Sequence, residues 1–169
     1  MAEIVRAAYG QLGGEDNVEA LPPPWFLPGS DVVWQRIADT ERALRAVVRE
    51  VYVACFHDSA SKKIEEALPE AERGSLARAL RARPATADPL TVVDYLYIAQ
   101  LPSLLFANEV WQQARTRFGG AQDAKARLQA AIGQIAPVRN EIAHVREVPQ
   151  DRLQRANLAC GDEMLKQGS

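Results

Sequence analysis

SDVVWQRIADTERALRAVVREVYVACF, residues 30–56, is the stretch whose reading decides the fold. Ser30 and Asp31 open it with side chains suited to capping a helix N-terminus. Ile37, Leu44, Val48, Val51 and Cys55 then step by three, four or seven, which places them on one stripe of a single long helix. Arg42, Arg45 and Arg49 fall together on another flank. Glu41 breaks the pattern, because it lies within the apolar stripe between Ile37 and Leu44. A carboxylate there requires a cation or a hydrogen-bond partner, or it must take up a proton.

Helical patterns continue on the C-terminal side. Residues 59–67 and 70–82 read as two short polar helices separated by Pro69, followed by a loop from Arg83-Pro84 to Asp88-Pro89. Leu90 to Leu105 is strongly apolar, with Pro102 starting or interrupting a helix. Residues 107–118 form a helix stopped by Gly119-Gly120. The next begins near Gln122 and runs through Leu128, Ile132 and Ile135, with Pro137 expected to break or restart it. Residues 150–166 make a last helix with Leu153, Leu158 and Leu165 inward. No strand-like alternation persists, so the chain reads as an all-α bundle of about six to eight helices. On the N-terminal side, residues 1–30 comprise a short helix over 3–12 and a proline-rich arm through Pro22-Pro23-Pro24 and Pro28. Trp25 and Phe26 in the arm are expected to pin it to the body or to a partner. Residues 31–169 are the helical domain.

The bulk numbers exclude several classes. A chain of 169 residues, 47% hydrophobic and 25% charged, is an ordinary single globular domain. Its formal net charge of -2 provides no global field for nucleic acid, so any RNA contact depends on local arginines or on a surface shared between subunits. No apolar run spans a membrane and no signal peptide is evident, so the expected location is the cytoplasm. The closing Gly168-Ser169 resembles a cloning remnant, which leaves open a longer parent chain. Cys55 and Cys160 suit small buried thiols rather than a disulfide framework. Grouping them with His57 and His144 as a zinc set gives an unusual Cys-x-His spacing, and no metal or other cofactor is expected.

The chemistry concentrates in Arg139-Asn140-Glu141-Ile142-Ala143-His144, which holds one of the two histidines. Histidine exchanges a proton near neutral pH, and arginine offers a permanently charged fork matched to phosphate oxygens. Asn140 and His144, four apart, share a helix face. Arg139 and His144, five apart, diverge by about 140° on an ideal helix. Either the helix ends near Ala143, or the arginine reaches around, or the working pair draws on two subunits.

Val138 to His144 is similar to the Arg-polar-x-x-x-His signature of the HEPN superfamily (higher eukaryotes and prokaryotes nucleotide-binding domains). Glu41-Arg42-Ala43-Leu44-Arg45, Asp94 to Leu101, Trp111 and Phe118 extend the resemblance over about residues 31–166. It implies an all-helical homodimer with two motifs facing one cleft, and metal-independent endoribonuclease activity. His144 would act in proton transfer as the ribose 2′-hydroxyl attacks the adjacent phosphate. Arg139 would hold that phosphate, Asn140 would orient His144 or a phosphate oxygen, and Glu41 would face Arg139 or His144. Arg42, Arg45, Arg49 and Arg146 are candidate RNA contacts. The resemblance further implies a toxin or an antiviral defence effector, with an antitoxin or a larger defence protein as partner. One branch is silenced by modification of a tyrosine two residues past the histidine; Arg146 stands there in this chain.

Plainer assignments stay open for the same residues. His144 suits a helix C-terminus, Arg139 suits an ion pair with Glu141, and Glu41 suits one with Arg45 four residues on. Arg42, Arg45 and Arg49 suit a solvated face. Trp34, Trp111, Tyr95 and Tyr97 are assigned to the core rather than to base stacking. Two non-enzymatic functions also fit: an assembly module docking through the Pro-Trp-Phe segment and the apolar 90–106 region, or a subunit binding a regulatory nucleotide.

Overall fold

The computed structural model describes residues 29–70 and 88–161, together with Arg73, Leu76, Ala77 and Arg81. The arm and helix expected over 1–28, most of 70–82, and Leu165 lie outside the described residues. Within them the protein is all-α. Six α-helices are described: α1 (Ser30–Phe56), α2 (Ala60–Ala67), α3 (Leu101–Leu105), α4 (Asn108–Ala114), α5 (Ala124–Ala143) and α6 (Gln150–Cys160). Short 3-10 segments at His57–Ser59, Pro89–Tyr95, Ile98–Gln100 and Arg115–Phe118 link them.

α1 is the hub, packing against each of the other five described helices. Its stripe explains this role. Val33, Ile37, Leu44, Val47, Val48, Val51 and Tyr52 are all buried, so apolar side chains cover more than one flank. The Tyr52 hydroxyl donates to the Leu104 carbonyl at 3.1 Å, joining α1 to α3. Burial, reinforced by Cys55 and Glu109, pushes this phenol up to about 12. Cys160 is buried and Cys55 half-buried. Burial raises both thiols above their ordinary range.

Several local expectations are corrected. The N-cap of α1 is Gly29, without a side-chain cap, while Asp31 lies in the first turn, where its charge favours the helix dipole. The helix expected over 107–118 is a seven-residue α-helix, Asn108–Ala114, that tightens into a 3-10 segment at Arg115 before Gly119 and Gly120, both at positive φ. Pro137 neither breaks nor restarts α5. Proline removes the N–H that would bond the carbonyl of Gly133, and both residues are exposed, so water can satisfy that carbonyl. Leu158 is 48% exposed rather than inward, because α6 buries Leu153, Ala156, Asn157 and Cys160 instead.

The 90–106 region is core. Val92, Val93, Leu96, Ile98, Leu101, Leu104 and Leu105 are each at most 2% exposed, leaving this stretch no broad apolar surface for docking. Trp111 is half-buried and packs on Phe106 and Phe118 with ring centroids 5.5 and 5.9 Å away. The tyrosines depart from the core assignment: Tyr95 is 42% and Tyr97 60% exposed. Both lie in irregular backbone at the ends of 3-10 segments, where helical periodicity does not govern side-chain direction.

Leu104→Ala should therefore lower the unfolding free energy by about 2–5 kcal/mol in urea titrations, the range for a buried leucine. A loss under about 0.5 kcal/mol, ordinary for a surface substitution, would contradict the core assignment.

Candidate functional site

The site is assembled by Glu41. Its side chain projects from α1 into the junction with α5 and the segment before α3, and the residue is 6% exposed. One carboxylate oxygen accepts from Arg45 Nη2 at 2.7 Å, one turn along α1. The other lies 3.6 Å from Arg139 Nε, across the helix interface. The ion pair with Arg45 and the approach to Arg139 thus coexist. Arg45 also donates to the Leu96 carbonyl at 2.9 Å, fixing the start of the Tyr97–Gln100 turn. Arg139 is held against that turn as well, with its guanidinium carbon 6.0 Å from the Tyr97 ring centroid.

The arginine is poised rather than saturated. At 3.6 Å the contact of Arg139 with Glu41 is electrostatic and too long for a hydrogen bond, and its buried Nε has no hydrogen-bond partner. The side chain retains 23% exposure. Two guanidiniums share one carboxylate, so this buried cluster carries one uncompensated positive charge. Glu141 does not pair with Arg139; it accepts from Arg152 at 2.6 Å, tying α5 to α6.

α5 ends at Ala143, inside the motif. His144 occupies the C-cap, and its backbone N–H donates to the carbonyls of Asn140 and Glu141 at 3.1 and 3.2 Å. The His144 and Asn140 side chains are both exposed, with no hydrogen bond between them. Glu41 meets the arginine end of the motif, and no contact joins it to His144.

The turn after His144 is strained. Val145 N–H donates to the Ile142 carbonyl and Arg146 N–H to the Glu141 carbonyl, both at 2.9 Å, the paired bonds of a Schellman cap. That cap places Val145 in the left-handed region at φ 55, where glycine is usual and a β-branched residue is an outlier. Val145 is also 94% exposed. Beside it an open groove of about 640 Å³ runs between the end of α5 and the start of α6, lined in part by Ile142, Val145, Arg146, Val148 and Leu153. Nothing in the sequence around His144 announces this strain except the absence of glycine where the helix must stop.

The remaining arginines divide by partner. Arg42 pairs with Asp39 on the exposed side of α1, and Arg49 with Asp94. Arg45 is drawn into the Glu41 cluster. Arg146 is exposed on the groove rim. Among the described residues, no three His, Cys, Asp or Glu side chains gather as a metal site, and no helix is long and apolar enough to cross a membrane. No protein-family model, curated protein or solved structure matches the chain.

Two substitutions probe the site's energetics. Glu41→Gln keeps the shape but leaves two guanidiniums without their counter-charge. It should cost about 2 kcal/mol by chemical denaturation, less than a fully buried pair because both arginines reach solvent. No measurable loss would mean that solvent already screens the pair. Val145→Gly should relieve the left-handed strain, a net gain of about 0.5–1 kcal/mol after the added chain entropy of glycine. A lower melting temperature for that variant would contradict the strained cap.

Proposed function

We propose that this protein is a metal-independent endoribonuclease acting through Arg139 and His144. The observation that carries the reading is the charge balance at Arg139: two guanidiniums share the buried Glu41 carboxylate, and the Arg139 side chain keeps 23% exposure. A phosphate oxygen supplies what that arrangement lacks, a compact anion able to accept from the fork. His144 follows at the end of the same helix, exposed to substrate.

In the reaction, the ribose 2′-oxygen attacks the adjacent phosphorus and gives up its proton, and the bond to the 5′-oxygen of the next nucleotide breaks. That oxygen takes up a proton and leaves as a hydroxyl, while the phosphate remains as a 2′,3′-cyclic ester. His144 moves one of these protons. Arg139 stabilises the added negative charge on the phosphorane oxygens. Asn140, exposed one turn before His144, contacts a phosphate oxygen. A homodimer bringing two such helix ends together would double the local positive charge and so offset the net charge of -2. A role as a toxin or an antiviral effector, restrained by an antitoxin or housed with a larger defence protein, rests on the HEPN resemblance alone.

RNA cleavage in EDTA tests the reading. Wild type should cut a mixed RNA pool and leave cyclic phosphate ends. His144→Ala, at an exposed position, should melt at the same temperature and lose the activity. Equal cutting by both proteins, or none by either, removes the catalytic assignment.

A further inference from the structure

Tyr97 presents an aromatic ring to solvent beside the cation of the proposed site. Its apolar neighbours Leu96 and Ile98 are buried, whereas Tyr97 is 60% exposed. Its backbone is fixed: Tyr97 N–H donates to the Gln100 side-chain oxygen at 2.7 Å, and Gln100 N–H donates to the Tyr97 carbonyl at 2.8 Å. The preceding carbonyl, of Leu96, accepts from Arg45, which holds Glu41. The Tyr97 backbone and the Arg139 guanidinium are therefore tied to the same buried carboxylate by separate routes, and the guanidinium carbon lies 6.0 Å from the ring centroid.

We propose that Tyr97 is a nucleobase subsite, on which a base of single-stranded RNA stacks while the neighbouring phosphate sits on Arg139. The inference rests on the ribonuclease reading and adds to it the strandedness of the substrate. Every base offers a π face, so an aromatic platform selects unpaired bases without selecting sequence. In a duplex those faces are covered by neighbouring bases, and the ring finds nothing to stack on.

Fluorescence anisotropy with a short labelled 2′-O-methyl RNA, which has no attacking hydroxyl, tests this directly. Wild type and Tyr97→Phe should bind the single strand alike, because the ring face and not the hydroxyl makes the contact. Tyr97→Leu should bind roughly tenfold more weakly, the typical loss on removing one stacking partner. An oligomer with abasic residues should bind wild type as weakly as Tyr97→Leu binds the intact strand, a comparison that needs no substitution. Undiminished binding by a folded Tyr97→Leu, or equal binding of the abasic strand by wild type, overturns the subsite and leaves the ribonuclease reading standing. Absence of RNA binding by wild type overturns both.

Discussion

A single buried carboxylate organises the junction of α1, α5 and the turn before α3. Glu41 lies inside the stripe that α1 uses to bind the rest of the bundle, where an unpaired charge is prohibitively unfavourable. Two arginines answer it, one from its own helix and one from α5. The answer constrains more than charge. Arg45 reaches past Glu41 to the Leu96 carbonyl, so α1, α5 and the turn before α3 are registered against a common point. Apolar residues in place of all three members of the cluster would pack as well or better, since buried ion pairs seldom out-stabilise apolar replacements, whereas losing Glu41 alone strands two guanidiniums. The position is therefore better explained by what the carboxylate holds than by what it adds to stability.

What it holds is a cation with spare capacity. Arg42 and Arg49 each have a carboxylate of their own on the surface. Arg139 shares its carboxylate with Arg45, and its side chain stays 23% exposed. The helix carrying it stops at Ala143, and the stop is made with valine in a conformation that favours glycine. Local strain of this kind persists only where surrounding structure enforces it. Here the two cap hydrogen bonds and the Glu141–Arg152 pair at the root of α6 do so. The consequence is that His144 stands at a fixed helix terminus rather than in a mobile loop.

Much of this is legible in the sequence, and the part that is not has physical causes. α1 is readable because its apolar residues repeat with helical spacing, and Glu41 because it violates that spacing. The Arg-to-His segment is readable as residue chemistry, and the helix end between its members is one of the alternatives its spacing allows. Pro137 misleads because its disruptive effect depends on whether the freed carbonyl faces water, a property of the assembled bundle. Leu158 misleads because, five residues after Leu153, it lies about 140° around α6 from that buried residue. Tyr97 is hidden for another reason: 3-10 segments lack the 3.6-residue repeat that separates inside from outside, so an aromatic residue among Val93, Leu96 and Ile98 reads as core. Val145 carries only a negative signal, the lack of a glycine.

The most direct test of the account follows the Arg139 guanidinium itself. Nitrogen-resolved NMR of the arginine Nε–Hε groups would be recorded as a single-stranded 2′-O-methyl RNA is added. The Arg139 resonance should shift on binding while that of Arg42, paired with Asp39 on the outer face of α1, stays in place. An Arg139 resonance unmoved at saturating RNA would contradict the claim that Glu41 holds this arginine ready for a phosphate.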